Sequence, residues 1–433
     1  MLIGIDASRA FVKDRTGTEN YSHELIKAML KLPESKKHRF RLYVRKPEGS
    51  ELALRDRLSI NSRLEVRNLK TLEVVEINWP RLWTQGGLAV ECLKNPPDVL
   101  FVPAHTLPVI RKPSLKTVVT IHGLEYEYLP EFYDWRKKWY LNKSTEYAVR
   151  KADKLIAVSN WTKSQLVDRL GADESKIKVI YEGVGERFRG KGLSGKVDPS
   201  FANAQVNTPQ MRGFRKGINL KYARQIRYKY GLGKNYILFL GTIQPRKNLV
   251  RLVEAFSRIT TEGSELALRD RLSINSRLEV RNQTRTDLII AGKKGWMTEE
   301  IYEAPKKYGV QDRVKFIGRV AEADIVAVYK MASLFVWPSL MEGFGLPILE
   351  AFASGVPVIA SKRGALPEVV GEAGLLIDPE NVEELAKAID LVFKSKELRQ
   401  GLVEKGYKQV KKFSWDKAAK ETLDLLIKVK MLK

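Results

Sequence analysis

Between Pro338 and Ser361 the chain reads PSLMEGFGLPILEAFASGVPVIAS. Two glutamates, Glu342 and Glu350, stand in it with seven residues between them. Gly343 and Gly345 bracket Phe344, so the backbone can turn sharply there and approach a ligand closely. Pro347 suits the first turn of a helix, where its missing N–H costs nothing. The N–H groups of that turn make a ready site for a diphosphate. Glu350 falls inside the same helix, among Ile348, Leu349, Ala351 and Phe352. A carboxylate among apolar neighbours needs a partner, and a sugar diol is one. Arg246 and Lys247, in PRKN, precede another helix, where bases oppose the dipole. A bound anion explains them better than an exposed cap does. His122 ends the apolar run TVVTIH, and Gly17 opens the first helix between Thr16 and Thr18.

These residues need elements to hold them. Short β-rich runs alternate with helical patterns along most of the chain. MLIGID, FRLYV, VLFVPA, TVVTIH, KLIAVS and KIKVIYEGV read as strands in the first half. ENYSHELIKAML and SNWTKSQLVDRL read as helices there, the second opened by a Ser-Asn cap signal. From Arg189 to Ile218 periodicity is lost, and the stretch reads as a linker or insertion. The alternation resumes with YILFLGT, NLVRLVEAFSRI, DLIIAG, EEIYEAPKKYG, VKFIG, SLFVWPS, LPILEAFAS, PVIAS and GLLID, and the end is helical. Two runs of βα units predict an α/β protein of two Rossmann-like parallel-sheet domains facing across a cleft. Ligands then bind at the loops after the strands, with the cleft as the expected active site. The expected division is 1–188, a basic linker or insertion at 189–225, 226–412, and a final helix at 413–433 returning to the first domain.

Composition narrows the function classes. Lys plus Arg number 76 and Asp plus Glu 51, a net charge of +25. With 44% hydrophobic and 29% charged residues among 433, a packed core is available and wholesale disorder is excluded. No apolar run approaches the roughly 18 residues of a membrane helix. The opening MLIGIDASRA reads as a buried strand rather than a secretory signal. Cys92 is the single cysteine, which excludes a disulfide framework and a Cys-based zinc site and makes a reducing cytosol the default compartment. The four histidines lack the spacing of a zinc protease, and no Asp-x-Asp pair occurs. No metal site is expected. Bases crowd between Arg187 and Lys229, where Asp198 is the only acid; the expected reading is a solvated face.

As an ordered set, EGFGLPILEAFASGVPVIAS, IGIDASRA with Gly17, TIHGLEYEYLP, ADKLIAVSNWTKSQL, LGTIQPRKNL, LIIAG and RGALPEVVGEAGLLIDP resemble the retaining glycosyltransferases of family 4. The resemblance implies the GT-B fold and metal-independent transfer of a sugar from a nucleotide-diphospho-sugar donor, with no cofactor. It implies that Glu342 sits against the donor sugar and Glu350 holds the ribose hydroxyls. Gly345 and Leu346, with Gly343 and Phe344 around them, offer backbone to the phosphates. Lys247 neutralises the departing diphosphate, and Arg246 supports it, because Thr242 stands where the family's usual arginine follows the strand glycine. His122 matches the active-site histidine that contacts the donor sugar. Gly17 approaches the donor phosphates, and Gly318 to Val320 lie beside the base. PRKN and TIH resemble mannosyltransferases, so GDP-mannose is the expected donor and a glycan or lipid-linked molecule the expected acceptor. The competing expectations are a nucleotide-sugar epimerase of the same fold and a catalytically dead binding protein. Nucleic acid is not expected as a partner.

Two features stand apart. Residues 49–68 and 263–282 are the same twenty letters, GSELALRDRLSINSRLEVRN, in unlike flanks. A structural repeat diverges while keeping its pattern, so this is read as a segment inserted twice at tolerant surface loops, remote from the donor site. Trp135, Arg136, Lys137, Lys138, Trp139 and Tyr140 form a basic aromatic cluster. It suits either a peripheral contact with an anionic membrane or an ordinary amphipathic helix.

Overall fold

The computed structural model describes residues 1–12, 15–45, 71–79, 82–189, 220–261 and 286–431. Both copies of the duplicated segment, and residues 190–219 of the expected linker, lie outside the described residues. The chain divides into two compact units. Unit 1 is Met1–Gly183 with Phe413–Lys433, and unit 2 is Val184–Lys412. The expected boundary at residue 188 therefore moves to Gly183. Phe188 belongs to unit 2, where its ring meets Tyr329 edge-on at 5.9 Å.

Among the described residues, unit 1 holds a seven-stranded sheet in the order β3-β2-β1-β4-β5-β6-β7. The strands are β1 (Leu2–Asp6), β2 (Arg39–Arg45), β3 (Leu72–Ile77), β4 (Val99–Val102), β5 (Lys116–Ile121), β6 (Lys154–Ala157) and β7 (Ile177–Val179). All pairings are parallel. The central strands read as continuous apolar runs because helices cover both faces; all four residues of β4 are buried. β3 was not legible as a strand: LEVVEI carries Glu73 and Glu76 on an edge of the sheet. KIKVIYEGV stops as a strand at Val179. The final helix, Trp415–Met431, packs on the first, Gly17–Lys31, as the expected return to the first domain requires.

Unit 2 repeats the winding. Its six strands are β8 (Asn235–Leu240), β9 (Thr286–Ala291), β10 (Val314–Gly318), β11 (Leu334–Trp337), β12 (Val358–Ser361) and β13 (Gly374–Ile377). Their order is β10-β9-β8-β11-β12-β13, again all parallel. A helix, Leu220–Tyr230, begins inside the stretch expected to be linker. Two of its bases are tethered rather than free: Lys229 Nζ lies 2.7 Å from Asp324, and Arg227 donates to Gly233 O at 3.1 Å. Asp324 also accepts from Tyr222 and Tyr230, so this corner is a structural anchor.

In each sheet the winding reverses direction next to the first strand, between β1 and β4 and between β8 and β11. Chain direction and sheet order thus place the loops after those strands side by side, at the point where open α/β sheets take ligands.

Candidate active site

In unit 2 the loop after β8 carries Arg246 and Lys247, and the loop after β11 carries Glu342. β8 pairs directly with β11, so the two loops meet. Arg246 Nη1 lies 2.7 Å from Glu342 Oε2, and Lys247 Nζ donates to Glu342 Oε1. Glu342 and Lys247 are 7% and 5% exposed. Burial pushes the Glu342 carboxyl up, but Arg246 and Lys247 outweigh it and hold the group at about 2. The cluster is two cations around one carboxylate and keeps a net positive charge. Lys247 Nζ also stands 4.3 Å over the ring of Trp337, a contact worth most when desolvated.

The backbone fixes this cluster. Leu340 N–H donates to Arg246 O at 2.9 Å, and Ala365 N–H to Glu342 O at 3.0 Å. Arg246 Nη1 donates to Met341 O at 2.8 Å. Asn248, at φ 59, donates to Pro338 O at 3.2 Å and so ties one loop to the other. Gly364 packs on the carboxylate's own residue: at φ 65, a Cβ there would come within 2.5 Å of Glu342 O.

The helix Leu346–Ala353 starts next to the cluster, with Pro347 in its first turn. Gly345 has φ 115, a conformation closed to most side chains. Gly343 does not share it, so the expected two-glycine turn is a one-glycine turn. Phe344 is buried, and its ring belongs to the core. Leu346 is buried too, which leaves its backbone as the part that can meet a ligand. Glu350 is half-buried and accepts from Tyr329 Oη at 3.0 Å. Tyr329 has no exposure; burial, with Glu350 beside it, pushes its hydroxyl well above the ordinary range. Gly318 ends β10 at φ 65, and Val320 is buried. The structure thus brings Arg246, Lys247 and Glu342 into contact, with Gly345 and Leu346 next in the chain.

In unit 1 His122 sits just past β5. Its Nε2–H donates to Pro103 O at 2.9 Å, and its Nδ1 lies 3.4 Å from Glu182 Oε1. Glu182 is 4% exposed and was not singled out from the sequence. The signal was a lone acid among Ile180, Gly183 and Val184. Tyr21 meets the imidazole edge-on at 4.6 Å. His122 N–H donates to His105 Nε2 at 3.3 Å. Burial, with His122 and Arg9 nearby, pushes His105 down to about 3. It is therefore a neutral ring whose Nδ1 faces Thr145 Oγ1 at 3.5 Å, a packing role. Gly17 begins the first helix after the Thr16–Glu19 capping box.

Residues 15–186 match the model of Glycosyltransferase Family 4, and residues 224–409 match that of Glycosyl transferases group 1. The chain belongs to the GT-B glycosyltransferases. It is 26% identical over 309 residues to an O-antigen chain mannosyltransferase B of Escherichia coli, a match covering 71% of this chain and 69% of that protein. It is 27% identical over 313 residues to a serotype-specific mannosyltransferase, WbdA, also of Escherichia coli. That match covers 70% of this chain but only 32% of the relative, so the chain spans about a third of that protein. Among solved structures, a glycosyltransferase from Rickettsia africae aligns with a TM-score of 0.63 at 19% identity, over 100% of this chain and 99% of that one. HepE of Anabaena, solved with UDP and glucose, aligns with a TM-score of 0.64 at 17% identity, over 99% of each chain. At these identities the structures speak for the fold. Among the described residues, no helix of this GT-B protein is long and apolar enough to cross a membrane.

Proposed function

We propose that this glycosyltransferase moves a sugar, mannose in the first instance, from a nucleotide-diphospho-sugar to a glycan or lipid-linked acceptor, with retention at the anomeric carbon. The observation that carries the reading is the Arg246–Lys247–Glu342 cluster at the switch point of the unit 2 sheet, beside a helix N-terminus. When the bond from the sugar to the diphosphate breaks, negative charge grows on the leaving oxygen. Fixed cations and helix N–H groups stabilise it most where water is excluded. Arg246 and Lys247 supply that charge, with Gly345 and Leu346 presenting backbone to the phosphates. The family pattern also assigns Gly17, which opens the first helix of unit 1, to the phosphates. Glu342 orients both cations and borders the sugar. Glu350, braced by Tyr329, accepts from the ribose hydroxyls, and the Gly318–Val320 segment borders the base. His122 contacts the sugar, and the carbonyl of Pro103 and the carboxylate of Glu182 fix its ring. The names of the relatives support mannose, and the shared fold supports a nucleotide donor. A cytosolic location, in keeping with a single buried cysteine, belongs to the same reading.

The test is thermal stabilisation of the whole chain by a panel of nucleotide sugars, since a specific donor raises apparent stability by mass action. GDP-mannose is expected to shift the transition most. Transfer to acceptor is then followed with and without a chelator. With charge met by Arg246 and Lys247, transfer persists in the chelator. Strict dependence on manganese or magnesium would overturn the phosphate assignment, and an α to β inversion in the product would overturn retention.

A further inference from the structure

Tyr329 is a tyrosine in a place that packing alone would give to phenylalanine. It lies in the helix Ile325–Met331, where Val326, Ala327, Val328 and Met331 are also buried. Its ring meets Phe188 edge-on at 5.9 Å and Phe335 tilted at 5.4 Å. Neither contact needs a hydroxyl, and a hydroxyl without exposure costs free energy unless it finds a partner. The partner is Glu350, whose Oε2 accepts from Tyr329 Oη at 3.0 Å. Burial and the carboxylate keep that hydroxyl protonated, so it remains a donor throughout the working pH range.

Glu350 is placed differently. It is half-buried, while Ile348, Leu349, Ala351 and Phe352 around it in the helix Leu346–Ala353 are buried. It stands one turn beyond Leu346, a rise of about 5 Å, and helix side chains lean back toward the N-terminus. The first turn of that helix presents N–H groups to a phosphate. A nucleoside diphosphate anchored there carries its ribose past the next turn, where Glu350 stands.

We propose that Tyr329 is a positioning residue that makes this site select ribonucleotides over deoxyribonucleotides, by holding the Glu350 carboxylate in an orientation that accepts from the ribose hydroxyls. The inference rests on the proposed reading of Glu350 as the group that meets the ribose, and adds to it the source of selectivity. A carboxylate held by a fixed donor is aimed before the ligand arrives, so less ordering is lost on binding. Facing a deoxyribose, the aimed carboxylate meets no donor, and that unmade bond is what rejects the analogue. A free carboxylate would turn to water instead and discriminate less. Phe188 and Phe335 are the walls that keep the donor itself in place.

The experiment is isothermal titration of the whole chain with GDP, UDP and the 2′-deoxy and 3′-deoxy analogues of each. The wild type is expected to bind the tighter of the two ribonucleotides at least about tenfold better than one of its deoxy analogues. Tyr329→Phe keeps the ring and its packing, and is expected to reduce this preference at least about fivefold, chiefly through weaker binding of the ribonucleotide. A hydroxyl that served packing alone would weaken the ribo and deoxy forms together. An unchanged ratio in the folded variant therefore overturns the proposal. On a Glu350→Ala background, Tyr329→Phe is expected to leave the ratio where it was, as a residue acting through Glu350 must. A further fall on that background overturns the proposal too. A wild type that binds a diphosphate without preferring ribose overturns the reading of Glu350 itself, and the proposal with it. A wild type that binds neither diphosphate overturns the nucleotide reading on which both stand.

Discussion

His122 and Glu182 face each other at 3.4 Å, Nδ1 to Oε1, while the other ring nitrogen is committed to a backbone carbonyl at 2.9 Å. The groups facing the two ring nitrogens are both acceptors, one a backbone carbonyl and one a carboxylate. Glu182 thus acts on His122 as a positioning residue, fixing the ring's orientation.

Glu182→Gln keeps the shape and removes the charge. Behind a metal-bound histidine, losing such an orienting partner costs about one to two orders of magnitude, and the lower end of that range is taken here. The expected result is a fall in kcat of about tenfold or more with a smaller change in donor KM, and an altered 15N signature of the His122 ring. Wild-type kcat together with an unchanged ring spectrum would remove Glu182 from the mechanism.

The cation pair cannot be tested by simple deletion. Replacing Arg246 and Lys247 with alanine leaves Glu342 buried without its two partners, and breaking a buried pair costs about 3–5 kcal/mol. The double variant is therefore expected to lose both turnover and stability. Adding Glu342→Gln removes the stranded charge and is expected to restore the melting temperature but not turnover. A double variant that keeps wild-type turnover would show that neither base meets the leaving group. A triple variant as unstable as the double would show that the stranded carboxylate is not the cause.

Glu342 also ties stability to pH. Its carboxyl is held at about 2, against an ordinary 4.5. A depressed carboxyl stabilises the fold fully above the unfolded value, and that stabilisation is lost as pH falls toward the folded value. Its share, on the order of 3 kcal/mol, is expected to disappear between about pH 4.5 and 2. Denaturant unfolding of wild type and Glu342→Gln across this window is the measurement. The difference between them should narrow as pH falls, and a constant difference would contradict the ion-pair assignment.

Much of the site was legible because its residues are of unusual type for their place: acids beside glycines, bases at a helix start. Their pairing was not. Lys247 and Glu342 are 95 residues apart, and only the adjacency of β8 and β11 brings them together. Tyr329 and Trp337 were not singled out, because the partner that makes each one matter lies on another element. Gly343 and Gly345 looked alike in sequence, since nothing local says which one must adopt positive φ. Glu182 was hidden by reading the strand through to Val184, whereas β7 ends at Val179.

The duplicated segment meets two different topologies. The second copy falls between the helix that ends at Thr261 and β9, which starts at Thr286. Deleting residues 263–282 there leaves a connection of ordinary length for helix to strand. The first copy falls between β2 and β3, which are parallel neighbours with Arg45 opposite Ile77 and Phe40 opposite Leu72. The chain must therefore travel back from Arg45 to Leu72, about 17 Å at a strand's rise per residue. Removing residues 49–68 leaves six residues, whose reach is about 24 Å when fully extended, and parallel crossovers ordinarily use a dozen or more residues. β2 and β3, as parallel neighbours, are thus joined by a crossover, whereas the second position joins a helix to a strand. Both deletions are expected to fold, because the span can be closed. The deletion of 49–68 is expected to lower the melting temperature relative to wild type. The deletion of 263–282 is expected to leave it unchanged or raise it, since each doubling of loop length costs about 0.6 kcal/mol. Donor-induced stabilisation should survive in both. Equal melting temperatures would show that the crossover is not taut, and loss of donor binding in a folded deletion would show that the segment serves the site.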